Sequence, residues 1–292
     1  MTDETAPPRL LRSALFVPGD KPRALEKAPG LAADALMLDL EDAVAPERKE
    51  EARRAAPDAV AGFRRAGRRA VIRIAAPDAP ELAEDVAAAA QAGPDAVLIA
   101  KLESVEDLTS VRGRLTEAGY GGPLWAMIET PRGLLALERL AARSERLGLE
   151  AVIAGTNDLA ETLRLPEGPG LRTALTPHLA RLVLAARAVG VAVLDGVFNA
   201  YQDAAGFAAE AEAGRAMGFD GKSLIHPSQV APANAAFAPS DAEIAWARRV
   251  AAAFDDPANA GKGAVPLDGR MVELMHLKSA RAVLAAAERT EG

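Results

Sequence analysis

The chain has 292 residues, 50% of them apolar and 26% charged, a balance that secures a hydrophobic core and excludes wholesale disorder. Its 34 basic and 41 acidic residues leave a net charge of −7, which argues against a general nucleic-acid binder. With no cysteine, disulfides, thiolate metal sites and thiol nucleophiles are all excluded.

Residues 1–10 read as a proline-containing leader. Their sequence, MTDETAPPRL, lacks the basic and apolar pattern of a secretory signal. No apolar run approaches the roughly 20 residues that span a bilayer. A cytoplasmic protein without a membrane partner is expected.

From there one unit recurs eight times: a short apolar run, then a helical stretch. The runs are 13–17, 35–40, 70–74, 96–99, 124–128, 151–154, 191–194 and 223–225. Apolar positions at three- and four-residue spacing predict helices over 47–61, 81–92, 104–118, 132–147, 173–188 and 204–217. Gly93-Pro94, Gly121-Gly122-Pro123 and Gly190 each stand just before the next strand. Alternation implies a parallel sheet and eight units imply closure, so the fold class is α/β, a TIM (β/α)8 barrel over 1–232. Residues 233–292 then form a C-terminal helical extension. In it Ser240 and Glu243 make a capping box for a helix reaching about Phe254. A glycine-containing loop to Leu267-Asp268-Gly269 and a last helix, 271–288, follow. Packing outside the barrel or on a neighbouring subunit is expected for this part.

Several runs end in groups that can do chemistry: Asp39, Arg73, Lys101, Glu129, Asp158 and Asp195. In a barrel such strand ends converge on one mouth. Glu129 and Asp158 follow adjacent strands, and two oxygen donors without cysteine or a nearby histidine suit a hard cation such as Mg²⁺. The alternative is that each caps the helix after it. Arg73 lies in an apolar strand pattern, where a guanidinium needs an anion. It either clamps a substrate carboxylate or carbonyl oxygen, or pairs structurally with Asp39, Glu41 or Asp42. Those three acids are read as groups that orient Arg73, Lys101 and the water on a metal. Lys101 is a fixed positive charge beside carboxylates, or, like Lys222, a Schiff-base candidate. Gly155-Thr156-Asn157 opens a helix whose N–H groups can hold a carboxylate beside the metal. His178, His226 and His276 have no metal spacing, and His226 is read as a structural hydrogen-bonder.

Together these segments resemble the citrate lyase beta-subunit-like branch of the HpcH/HpaI aldolase family, which includes malyl-CoA and citramalyl-CoA lyases. The likeness rests on Arg12-Ser13-Ala14-Leu15-Phe16-Val17-Pro18-Gly19-Asp20, Leu38-Asp39-Leu40-Glu41-Asp42-Ala43-Val44, Lys101-Leu102-Glu103-Ser104 and Ile128-Glu129-Thr130-Pro131-Arg132-Gly133. It continues through Gly155-Thr156-Asn157-Asp158-Leu159, the stretch from Gly218 to Gln229, and Leu267-Asp268-Gly269-Arg270-Met271. The resemblance implies a homotrimer or hexamer that cleaves or forms 3-hydroxyacyl-CoA thioesters with Mg²⁺, Mn²⁺ being the alternative cation. The implied partners are a CoA thioester and a small 2-oxo acid. By the same likeness Glu129 and Asp158 match the metal ligands, and Arg73 the arginine that steadies substrate and enolate oxygens. Asp268 matches a carboxylate that reaches a neighbouring subunit's site, where it is the candidate for proton transfer to carbon. Arg12 falls where the family contacts CoA. Ala75 replaces an asparagine common in relatives, and Asn157 replaces an acid found in some. The competing functional readings are a non-catalytic CoA-binding subunit of a citrate-lyase-type complex and a Schiff-base aldolase.

Overall fold

The computed structural model describes residues 10–291. Eight parallel strands close in sequence order: β1 (Ser13–Pro18), β2 (Ala35–Asp39), β3 (Arg69–Ile74), β4 (Ala96–Ile99), β5 (Leu124–Ile128), β6 (Leu149–Ala154), β7 (Ala192–Asp195) and β8 (Gly221–Leu224). β8 returns to β1 with Ser13 opposite Lys222, completing a TIM barrel. Outside it run α1 (Pro22–Lys27), α2 (Lys49–Arg65), α3 (Leu82–Ala92), α4 (Val105–Glu117), α5 (Pro131–Ala141), α6 (Ser144–Leu147), α7 (Thr156–Thr162), α8 (Leu171–Val189), α9 (Ala204–Met217) and α10 (Val230–Ala236).

Side chains alternate across a strand, so residues of one parity share a face. Ala14, Met37, Val71, Leu98, Trp125, Met127, Ile153 and Leu194 pack together as the barrel's filling. Continuing those rows toward the carboxyl ends brings in Phe16, Asp39, Arg73, Glu129, Gly155 and Gly196. The barrel is therefore apolar below and charged at its mouth.

Leu11–Ala236 is one compact unit. It takes in α10, whose Asn234 accepts a hydrogen bond from Ser13 Oγ at 2.6 Å and donates one to the Ala32 carbonyl at 2.8 Å. The second unit contains α11 (Asp241–Asp255), an antiparallel hairpin of β9 (Ala264–Leu267) and β10 (Arg270–Glu273), and α12 (Leu274–Glu291). Its own core is built from Ala247, Val250, Val265, Val272 and Ala280. The Ser240–Glu243 capping box forms, with Ser240 N donating to Glu243 Oε2 at 2.7 Å.

Three expectations about elements need correction. Residues 264–273 form a hairpin where a loop and the start of a helix were expected. Asp268 and Gly269 take φ of 50° and 75°, the paired positive values that a two-residue hairpin turn requires. The helix expected over 132–147 is interrupted between α5 and α6. The short helices α1 and α10 fall where strands and loops alone were expected, while α7 is the helix that Gly155-Thr156-Asn157 was expected to open.

Candidate active site

Asp39 and Arg73 are register partners on β2 and β3, so both side chains rise side by side from the mouth. Arg73 Nε donates to Asp39 Oδ1 at 2.7 Å and Nη2 to Asp39 Oδ2 at 2.6 Å, a two-pronged pair. Asp39 also accepts the backbone N–H groups of Glu41 and Ala43 at 2.9 and 3.1 Å. Arg73 Nη1 stands 3.2 Å from Glu41 Oε2 and 3.6 Å from Met127 sulfur, and the guanidinium lies 4.6 Å over the Phe16 ring. The structural pairing foreseen for Arg73 is thus present. Burial would lower the Arg73 pKa, but Asp39, Glu41 and Glu129 outweigh it and hold the group charged.

Lys101 gathers the rest. β4 ends at Ile99, and Lys101 adopts φ 47°, a left-handed conformation unfavourable for a residue with a Cβ. That turn lets one residue serve two directions. Its backbone N–H donates to Glu129 Oε1 at 2.8 Å. Its ammonium lies 2.5 Å from Glu41 Oε1, 2.8 Å from Asp42 Oδ2 and 3.3 Å from Asp158 Oδ2. Burial alone would lower the pKa of this amine, but the hydrogen bonds to Asp42 and Glu41 raise it above the ordinary lysine value. Asp42 is lowered, because Lys101 overcomes its burial, while burial raises Glu41 against the pull of Arg73.

Glu129 is 2% exposed. Burial first, and the neighbouring charge of Asp158 second, push its pKa to about 7. A carboxyl whose folded pKa is raised binds more protons folded than unfolded. The barrel therefore loses stability as pH climbs from the usual carboxylate range to about 7. A cation shared by this pair would relieve both repulsion and desolvation, so the donors fit a hard divalent ion. No group of three or more histidine, aspartate or glutamate side chains with metal-binding geometry occurs among the described residues, which leaves this pair to be completed by water or substrate oxygens.

Gly155 explains how two strands can crowd here. A Cβ at this position would stand 2.2 Å from Glu129 Cβ and 2.4 Å from its Oε2. Its N–H donates to the Ile128 carbonyl at 3.0 Å and is not free for a ligand, which corrects the expectation for this residue. Thr156 is buried with Oγ1 unpartnered, and its methyl and hydroxyl fill the space left by Gly196. Asn157 is exposed and exchanges amide hydrogen bonds with Asn199 at 2.8 and 3.3 Å.

Three sequence candidates of the barrel unit, Arg12, Asp195 and Lys222, lie away from its mouth. Arg12 precedes β1 and so sits at the amino end of the barrel, where it grips Asp34 at 2.7 and 2.9 Å. The structure does not bring it to the mouth. Asp195 has the parity opposite to Leu194 and turns outward. It meets Arg172 of α8 at 2.8 Å and Lys222 of β8 at 2.9 Å, and Lys222 also meets Glu210 of α9 at 2.8 Å. Lys222 has no exposed surface and is ion-paired with two carboxylates, so its amine is closed to the carbonyl substrate that a Schiff base needs. Lys222→Met should lower stability by about 3 kcal/mol, the usual cost of breaking a buried ion pair. Thermal melts and a magnesium titration check this: the melt should fall while any cation affinity at the mouth stays unchanged. Asp268 belongs to the second unit. It is exposed at the hairpin turn, with Oδ2 3.3 Å from Arg249 Nε.

Phe16 and Met127, which line the Arg73 guanidinium, were not anticipated from sequence. The signal was available, since both share the inward parity of the acids and bases around them.

A closed parallel barrel whose inward rows end in paired carboxylates, a buried arginine and a lysine is a (β/α)8-barrel protein with an acid–base mouth at its carboxyl face. The chain belongs to the HpcH/HpaI aldolase/citrate lyase family, whose profile matches residues 12–227. It is 44% identical over 277 residues to a (3S)-malyl-CoA thioesterase of Cereibacter sphaeroides, covering 95% of this chain and 94% of that one. It is 34% identical over 312 residues to an L-malyl-CoA/beta-methylmalyl-CoA lyase of Rhodobacter capsulatus, covering 98% of each. Among solved structures, the Mycobacterium tuberculosis protein CitE in complex with magnesium, acetoacetate and coenzyme A is 32% identical with a TM-score of 0.76, over 94% of this chain and 97% of that one. No helix among the described residues is long and apolar enough to cross a membrane.

Proposed function

We propose that this chain is a Mg²⁺-dependent enzyme of the cytoplasm that cleaves or forms the carbon–carbon bond of a malyl-CoA-type 3-hydroxyacyl-CoA thioester. The observation that carries this reading is the tethering of Glu129 and Asp158 by Lys101 beside the buried Arg73. Glu129 and Asp158 would hold the cation. When bound, the cation supplies Lewis-acid polarisation of a 2-oxo acid carbonyl. Arg73, fixed by Asp39 and Glu41, keeps N–H groups beyond those it spends on Asp39, and these stabilise the enolate oxygen of the acyl-CoA. In cleavage the 3-hydroxyl gives its proton to water at the open mouth, its oxygen becomes the carbonyl of the 2-oxo acid as the C2–C3 bond breaks, and the electron pair of that bond enters the thioester as an enolate. Asp268 is the candidate for proton transfer with that carbon. Thr156 and Asn157, next to Asp158, contact the 2-oxo acid.

Asp268 is assigned to the mouth of a neighbouring copy in a homo-oligomer, a trimer or hexamer. What supports this is an exposed apolar face on its own unit: Met271, Leu274 and Met275 are 60%, 57% and 67% exposed.

A second reading is hydrolysis of the thioester itself, favoured by the 44% identity to a thioesterase over nearly the whole chain. One assay separates the two. The purified protein with (3S)-malyl-CoA and Mg²⁺ should release glyoxylate and acetyl-CoA if it is a lyase, or malate and free CoA thiol if it is a hydrolase. EDTA should stop either. Turnover that survives metal removal would contradict the proposal. Binding of CoA without turnover would favour a non-catalytic subunit, and a borohydride-trapped adduct a Schiff-base aldolase.

A further inference from the structure

Lys101 is more than a neighbour of the acidic mouth. Its ammonium stands 3.3 Å from Oδ2 of Asp158, one of the two carboxylates that would hold the cation. It is anchored as well by Glu41 and Asp42 at 2.5 and 2.8 Å. Its main chain meanwhile fixes Glu129 through a 2.8 Å hydrogen bond that does not depend on the side chain. The two jobs are separable, because the strained φ of 47° belongs to the backbone and the charge to the side chain.

We propose that Lys101 is the mouth's built-in counter-cation: its ammonium holds the Asp158 side of the site in the absence of metal, and must yield toward Glu41 and Asp42 when a divalent ion binds, thereby setting the metal affinity. This rests on the assignment of Glu129 and Asp158 as the cation's ligands. Two positive charges sharing Asp158 repel across a few ångströms of partly dry protein. Thus the wild-type site binds Mg²⁺ more weakly than its carboxylates alone would allow, and more reversibly. Lys101 is a positioning residue acting through Asp158 and Glu129.

Lys101→Met removes the charge while keeping length and backbone strain. By calorimetric titration with MgCl₂ alone, this variant should bind the ion about tenfold more tightly than wild type, as expected when a like charge leaves a coupled site. Lys101→Gln should move the same way, and serves if the methionine variant folds poorly. Lys101→Arg, which restores the charge, should return the affinity to within about twofold of wild type. Weaker or unchanged Mg²⁺ binding in the charge-removing variants would overturn the proposal, because a scaffold role loses affinity when the side chain goes. Absence of Mg²⁺ binding by the wild type would instead defeat the assignment of the metal ligands.

Discussion

Arg73→Ala should unfold the barrel mouth before any question of catalysis arises. Asp39 has no exposed surface and Arg73 only 7%, so deleting the guanidinium leaves a buried carboxylate with two backbone N–H groups and no counter-charge. Removing one partner of such a pair costs about 3–5 kcal/mol. For a domain of this size that corresponds to a fall in melting temperature of roughly 10 °C, which differential scanning calorimetry would detect. Arg73→Lys keeps a charge against Asp39 but cannot span both oxygens and still reach Glu41. It should recover much of the stability while turnover remains at least about a hundredfold down, the scale set by losing one preorganised donor to a developing oxyanion. Wild-type turnover in a folded Arg73→Lys enzyme would show that the arginine is structural alone.

The second large effect comes from the smallest change. Gly155→Ala places a methyl where Glu129 Cβ already lies, 2.2 Å away, on the adjacent strand. Neither partner is the free end of a flexible chain. The strands must part or Glu129 must leave its position, and overpacking of this sort costs about 1–3 kcal/mol. With Glu129 holding the cation as proposed, a displacement near 1 Å there lowers the rate by about a hundredfold. Steady-state kinetics with malyl-CoA, read beside a thermal melt, checks both parts. An alanine variant with unchanged kcat would mean that the Glu129–Gly155 contact is not part of the working site.

The legible part of this molecule was the part governed by simple periods. Eight apolar runs announced the barrel because strands buried on both faces read as continuous hydrophobic stretches. Asp39, Arg73 and Glu129 were recognisable because each stands one inward step beyond a core residue. Asp195 misled because a strand end guarantees the rim but not the face. Its parity sends it outward to Arg172 and Lys222. Arg12 carried a family likeness, yet it lies before its strand and not after it, and it is spent on Asp34. The hairpin at 264–273 was hidden by a glycine-rich approach that read as loop, although Asp268-Gly269 between alternating apolar residues is a turn signal in its own right. Lys101 could not have been foreseen in its double role. Its left-handed backbone is found together with contacts to Glu41, Asp42, Glu129 and Asp158, all distant in sequence, and no local pattern encodes those.

The account stands or falls on a cation shared by Glu129 and Asp158, and a magnesium titration of the wild type beside Glu129→Gln and Asp158→Asn tests that directly. Wild type should bind one ion per chain, and each variant, still folded, should lose at least about tenfold in affinity, as expected when a charged ligand becomes neutral. Equal binding isotherms for all three proteins would contradict it.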